Sequence, residues 1–529
     1  MSSLRTRVRA FHCRAREHAW GTRLGFGAIA VAAALVARAP SLSRGLFDPD
    51  EAAIATMGMV VSRGGVLYRD VIDRKPPLAP LLYALVFWVT GSRRLEPLHV
   101  LAALELAGAA LLVAVEVRRR AGPRAGWWAA GLLIAGAVAL RPADAQAANY
   151  SHLALLWGCG AIVAARRGTG RSAAVAGLLL GLATLTRQTW IIGLLPAVVA
   201  TWFHGPAPDR VRRAAALVAA TAATIAAVAL VVPVGPFVHW TFSGNGGLLF
   251  GFNQAQSPIG RGLQAVELFV IGHLALCFLV LRRGWHREDL DLWLWLVTGV
   301  AAFAAGFRYF GHYWLQVLPP LCMLAAPAID SCRAWLRAAL VVLVLAPTTV
   351  YWGQAWTPIH GPSNIDQRAF PLVAAVRHHT TPHDLVTVWG SFPEVYWLSG
   401  RAPGGALVLS DFIVGRTAGR PDGPQRLHDA TPGALHDFLA SLRAHPPRLF
   451  LDTATGHVRK YGHYPLSLVP PVERFVAQHY RPVAVVRGVT IYELVPAHAR
   501  GPATTPPAGR SGAAVRPGAG LNAPTTAGS

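Results

Sequence analysis

The sequence predicts an α-helical polytopic membrane protein that carries a small α/β domain toward its C-terminus. Three observations predict it. First, 53% of the 529 residues are hydrophobic and 14% are charged, with a mean hydropathy of +0.39; a soluble domain averages about 25% charged. Second, apolar runs near the length of a membrane crossing recur from residue 24 to residue 352. Third, the connections between those runs alternate between Arg-rich and acidic or neutral, the pattern that orients helices across a bilayer. An ordinary soluble enzyme is excluded. After residue 352 the apolar saturation stops, and short β-like runs alternate with helix-like stretches.

Taken in order, residues 1–23 are a basic N-terminus that precedes the first apolar run, and no A-x-A-type site ends that run, so it reads as an anchor and not as a cleaved leader. About eleven spans follow, near 24–40, 95–117, 125–140, 150–165, 172–186, 188–203, 214–233, 262–281, 290–306, 314–329 and 335–352. Clusters such as Arg118-Arg119-Arg120, Arg166-Arg167-Arg171, Arg210-Arg212-Arg213, Arg282-Arg283-Arg287 and Arg333-Arg337 occupy every second connection. This places the N-terminus in the cytoplasm and the C-terminal domain outside, in a multi-pass cell-membrane protein. The assignment requires the apolar segment 77–91 to return within a first outer loop spanning 41–94 instead of crossing. The runs 384–390, 448–453 and 482–494, with helix-like stretches near 365–379, 433–444 and 468–479, outline an extracytoplasmic α/β domain over 353–499. Residues 500–529 are Pro, Gly, Ala and Thr with almost no large apolar residue, which predicts a disordered tail. No internal repeat is apparent. Cys159, Cys277 and Cys322 lie in apolar runs and Cys13 and Cys332 among basic residues, so the five cysteines make no disulfide framework.

The net charge of +23, from 49 Lys and Arg against 26 Asp and Glu, leaves nucleic acid, an anionic membrane or an anionic substrate as partners. Most of the excess lies in the cytoplasmic connections, so it sets orientation and says little about nucleic acid. The unusual polar residues collect instead on the outer side. Asp48, Asp50 and Glu51 follow the first span, where a carboxylate can act as general base toward an acceptor hydroxyl or ligate a divalent cation; three acids beside a membrane equally suit a solvated loop. Ala52, Ala55 and Met59 then mark an interfacial helix over 51–63. Arg74 and Lys75 precede Pro76-Pro77, a fixed cation pair suited to a lipid-linked phosphate leaving group, with snorkelling as the plainer alternative. The second outer loop supplies Asp144 and Asn149, with Tyr150 and His152 beside them; Asp144 also suits a helix N-terminal charge. Arg187 and Gln188 lie between two spans at the outer boundary, where a lipid headgroup contact competes. Arg308, His312 and Tyr313 lie at the outer end of a later span, and a lone His most often serves a local hydrogen bond. Glu105, Glu116 and Glu267 lie within spans, where an acid is a functional candidate; Glu116 abuts the triple Arg.

DPDEAA, GGVLYRDVIDRKPPL, DAQAANYSHLALL, LATLTRQTWIIGLLPA and FGHYWLQVLPPL, in this order and spacing, resemble the polytopic GT-C glycosyltransferases over about residues 24–352. Within them the chain is most similar to the protein mannosyltransferase and aminoarabinose transferase-like group, glycosyltransferase family 39 in the broad sense. The resemblance implies transfer of a sugar from a polyprenyl-phosphate donor to a glycan, lipid or protein acceptor on the extracytoplasmic face, without a nucleotide sugar. It puts the catalytic base on Asp50 with Glu51 beside it, the donor-phosphate lysine on Lys75 and the second-loop acid on Asp144. Asp48 is a second candidate base, Arg74 and Arg187 are further phosphate contacts, and Asn149, His312 and Tyr313 are candidate substrate contacts. Relatives in the aminoarabinose group carry an acid immediately before the lysine; this chain has Arg74 there, and its nearest acid is Asp73. A divalent cation is the one cofactor left open, and no metal ligands are assigned. Arg-, Ala- and Gly-rich usage suits a GC-rich bacterium, in which mannose- or arabinose-like donors are natural candidates. The alternative class is a transporter or flippase of a lipid-linked sugar, against which the one-sided clustering of polar residues and the absent repeat speak.

Overall fold

The computed structural model describes residues 25–245, 258–357, 364–416 and 422–496; the predicted basic N-terminus and C-terminal tail lie outside these. Among the described residues four helices are long and apolar enough to cross a membrane: Glu96–Ala121, Ala207–Leu230, Arg287–Phe307 and Ala334–Ala355. A fifth is counted if Ile259–Gly272 and Leu274–Arg283, bent by 83° at the break between them, form one span. Six shorter apolar helices accompany them.

Several predicted spans are therefore interrupted. The run 150–165 divides into a single turn, Tyr150–Leu153, and the helix Leu155–Ala165. The run 188–203 starts as a 3-10 turn, Gln188–Gly193, before Leu194–Phe203, and 3-10 turn Gly311–Gln316 precedes Leu318–Asp330. Proline explains the last two. Pro196, Pro319 and Pro320 have no N–H to return to the carbonyl four residues earlier, so the chain ahead of them winds without regular α-helical bonding. Leu78–Thr90, from the segment 77–91, has 13 residues and rises about 20 Å, short of a bilayer core of about 30 Å. It packs along Pro49–Ser62 at Gly58, where an added Cβ would stand 2.7 Å from Tyr83 Cβ.

The bundle's Arg-rich end is tied by a buried ionic cluster. Arg166, fully buried, bonds Glu116 through Nε at 3.1 Å and Asp291 through a terminal nitrogen, while Arg119 and Arg120 reach the same Glu116 at 3.0 and 3.2 Å. Glu116 thus pairs with the Arg cluster that abuts it and with the end of a second helix, which Arg166 ties to a third through Asp291.

Beyond Ala355 a five-stranded sheet forms in the order β2-β1-β3-β5-β4: β1 Leu385–Trp389, β2 Ala402–Pro403, β3 Leu449–Asp452, β4 Tyr480–Val486 and β5 Val489–Leu494. Parallel pairing joins β1 to β2 and β3, with β4 and β5 antiparallel at one side. The run 482–494 is a hairpin, not one strand. It turns at Arg487-Gly488, both in the left-handed region at φ 51° and 82°, as a tight hairpin requires.

Two hydrophobic cores result. One fills the bundle. The other is continuous from the segment Ala52 to Tyr83 into the α/β domain at Val386, Trp389 and Leu451. Ile72 N donates to Ala406 O at 2.9 Å, Trp397 Nε1 to Arg93 O at 2.8 Å, and Arg63 to Gly400 O at 2.8 Å across this junction. The domain is therefore built onto the loop that carries the acids.

Replacing Arg166 by Met removes the buried cation that Glu116 and Asp291 share, leaving Glu116 to Arg119 and Arg120 and Asp291 to His204. We expect a loss of about 3–5 kcal/mol, read as a fall in the thermal unfolding midpoint of the detergent-purified chain, with Arg166→Lys losing less.

Candidate active site

Asp48-Pro49-Asp50-Glu51 is a helix start. Asp48 is the N-cap, its carboxylate accepting from Asp50 N at 3.0 Å; Pro49 supplies the preset φ of the first helical position; and Glu51, at the third, closes a capping box. Glu51 has no exposed surface. One of its oxygens accepts from Phe47 N at 2.8 Å and Asp48 N at 3.2 Å, and the other accepts from Ala148 N and His99 Nε2, both at 2.7 Å. Glu51 is thus a buried junction of the fold, with both oxygens bonded within the protein. Asp48 is likewise occupied as a cap. Asp50 is the acid of the three that lines a cavity.

That cavity, of about 480 Å³, brings Asp50 together with Lys75, Arg74, Arg187 and Tyr313. Asp73, Tyr150 and Arg308 also line it. The segment bearing the cations is held by its backbone: Tyr68, in the left-handed region at φ 64°, donates from its hydroxyl to Lys75 O at 2.6 Å. Tyr150 stands under the Lys75 ammonium, 5.1 Å from ring centre to Nζ, and donates to Asp73 at 3.0 Å. Arg74 lies 5.9 Å over Phe412 of the α/β domain. Arg187 ends helix Gly170–Thr186 with extended backbone. Its guanidinium stacks 3.8 Å over Tyr313, donates to Thr189 Oγ1 at 3.0 Å and contacts the Ser151 hydroxyl.

The other predicted contacts stand elsewhere. Asn149 caps the turn Tyr150–Leu153, accepting from Ser151 N at 3.0 Å, and is buried. Asp144 accepts from both His312 N and Nδ1 at 2.9 Å; it faces a neighbouring cavity of about 190 Å³ beside Arg141 and Tyr309, not the one holding Asp50. Asn149, Asp144 and His312 thus bond within the protein and do not line the cavity of Asp50. A short segment whose successive side chains diverge explains it: Phe310 and Tyr313 face one cavity, Tyr309 and Trp314 the other.

Asp73, Tyr150 and His99 were not assigned from sequence. Asp73 stands two residues before Lys75 and lines the same cavity. His99, in the first turn of an apolar helix, carried no readable signal.

Burial raises the Asp48 carboxyl well above its ordinary value, and the adjoining Asp50 charge adds to the rise. Burial also pushes Glu51 upward, but the His99 imidazole and the amide donors of Ala148 and Phe47 outweigh it and hold Glu51 below its ordinary 4.5. The same holds for Asp144 against His312, whose own imidazole burial keeps below its usual range. Among the described residues no three His, Cys, Asp or Glu side chains converge as a metal-ligand set.

A carboxylate held below its ordinary pKa stabilises the fold fully above pH 4.5 and loses that contribution as pH falls through its depressed value. The unfolding midpoint should therefore drop on acidification. Glu51→Gln should lower it at neutral pH and flatten the acid limb, measured by thermal melts from pH 3 to 7, a window set by the carboxylate range.

Neither protein-family models nor curated protein sequences match this chain. Solved structures do. ArnT from Cupriavidus metallidurans bound to undecaprenyl phosphate aligns with 91% of this chain and 99% of its own at 16% identity and a TM-score of 0.57. The apo state of the same protein gives 0.58 over 92% and 100%, again at 16% identity. Oligosaccharyltransferase AglB from Archaeoglobus fulgidus, in complex with an inhibitory peptide and a dolichol-phosphate, aligns at 13% identity and 0.50, covering 89% of this chain and 74% of its own. The chain shares the overall fold of ArnT and AglB.

Proposed function

We propose that this chain is a membrane glycosyltransferase that moves a sugar from a polyprenyl-phosphate donor to an acceptor hydroxyl on the extracytoplasmic face. The observation that carries the reading is the cavity that brings Asp50 together with the cations Lys75, Arg74 and Arg187, its second carboxylate, Asp73, accepting from Tyr150 and from Arg74 N. A solved structure of the same fold is described as bound to undecaprenyl phosphate, which supports a lipid-linked donor. The orientation follows the Arg pattern. His99, which holds Glu51, and Glu116, within the Arg cluster, lie toward opposite ends of the helix Glu96–Ala121, about 25 Å apart at 1.5 Å per residue. The site thus lies away from the cytoplasmic charges, with the N-terminus inside and the α/β domain, 353–499, outside.

The reaction is a direct displacement. The acceptor oxygen forms a bond to the anomeric carbon as the bond from that carbon to the phosphate oxygen breaks, and Asp50 takes the hydroxyl proton. Lys75 and Arg187 meet the charge that develops on the departing polyprenyl phosphate. One displacement inverts the anomeric centre. Phe242, Phe307 and Leu409 line the same cavity and suit an isoprenoid chain lying against the bundle. Mannose- and arabinose-like sugars are the first donors to test.

Purified full-length protein is offered synthetic polyprenyl-phosphate mannose and arabinose, with release of polyprenyl phosphate as readout. Asp50→Asn should lower kcat by on the order of 10²–10⁴-fold at unchanged protein level and melting point, and Lys75→Ala should weaken donor binding as well. Wild-type turnover by Asp50→Asn would remove the base from its role.

A further inference from the structure

A second cavity, of about 530 Å³, opens between the first outer loop, the helix Val234–Thr241 and the α/β domain. Three separate chain segments line both it and the Asp50 cavity in succession. Tyr68, Arg69 and Ile72 face the second cavity and Asp73, Arg74 and Lys75 the first; His239 and Trp240 give way to Thr241 and Phe242; Ala406 and Leu407 give way to Leu409. The two cavities are thus lined by neighbouring residues of the same three segments, and the second lies beside the proposed reaction centre.

The chemistry of the second cavity is distinctive. Its floor is rigid and aromatic, with Tyr68, Trp240 and Phe438 nearly buried. Gly405 admits Phe438: its φ of 84° is left-handed, and a Cβ there would meet the ring at 2.5 Å. The rim carries both signs and neutral groups, Arg69, Asp437, His239 and Ser441. An isoprenoid would leave that rim unsatisfied, and a phosphate would meet Asp437. A neutral polyhydroxylated ligand, apolar on its ring faces and able to donate and accept at its edges, fits both parts, and the volume lies in the range of small-molecule sites.

We propose that this groove is an acceptor subsite for a carbohydrate, holding saccharide units beyond the one whose hydroxyl reaches Asp50. The proposal rests on the transfer reading above and assigns its acceptor class: an oligosaccharide or glycoside. The α/β domain contributes one wall, so it selects the acceptor through Leu407, Asp437 and Ser441 directly.

The test uses the full chain in lipid nanodiscs with mannotetraose, arabinotetraose and maltotetraose as probes, their binding followed by saturation-transfer NMR, beside undecaprenyl phosphate binding as a second reading. At least one tetrasaccharide should bind wild type and Asp50→Asn alike. Ser441→Trp, which fills the groove, and His239→Ala, which removes a rim donor without adding bulk, should weaken it by on the order of tenfold and leave undecaprenyl phosphate binding unchanged. Absence of binding by all three probes, or equal binding by wild type and both groove variants, overturns the subsite. Because this arm reads binding without turnover, its failure is separate from that of the transfer reading, which shows in Asp50→Asn kinetics.

Discussion

A buried carboxylate must be surrounded by donors, and the arrangement around Glu51 follows from that constraint. Four donors reach it from three parts of the chain: the start of its own helix, the helix Glu96–Ala121 through His99, and the loop before Tyr150 through Ala148 N. The same loop is gripped by Arg38, which donates to Ala145 O at 2.6 Å and Gln146 O at 2.8 Å, and by Tyr83, which donates to Ala148 O at 2.8 Å. Withdrawing any partner leaves a charge or an amide stranded without water. The direction in which Asp50 points is therefore set by its neighbour.

The cations obey a different logic. They sit where the bundle core and the loop-and-domain core meet, each on a segment drawn from one side, and aromatic rings support them: Tyr150 beneath Lys75, Tyr313 beneath Arg187, Phe412 beneath Arg74. A ring face attracts a cation without neutralising it, so the positive charge stays available to an anionic ligand. Full carboxylate pairing, as at Arg166 on the other end of the bundle, spends the charge on structure instead.

Much of this was legible in the residues. Hydropathy and Arg alternation announced a polytopic helical protein, and D-P-D-E before an apolar run is a capping signature whose local consequence is readable. The β-like runs near 384–390 and 448–453 are β1 and β3. What stayed hidden depends on partners distant in sequence. Whether Asp50 or Glu51 faces the ligand turns on His99 and Ala148, and an apolar helix gives no hint that its His is committed. The divergence of Asp144 and Tyr313 into separate cavities arises from a 3-10 turn imposed by prolines downstream. Span lengths failed for the same reason, since hydropathy records apolarity and is blind to where the helix breaks.

The short bridge that pairs Ile72 with Leu407, seconded by Thr56 bonding Pro393 O 337 residues away, bears on how the protein is made. During synthesis the acid-bearing helix, His99 and the loop before Tyr150 all emerge within the first third of the chain. The edge that aligns the Lys75 segment emerges in the last quarter. Closing so long a loop costs entropy that only the completed α/β domain offsets, so the two halves of the charge pattern mature at different times. The edge that aligns the Lys75 segment is thus the late-made partner of an acid-bearing helix that is synthesised early.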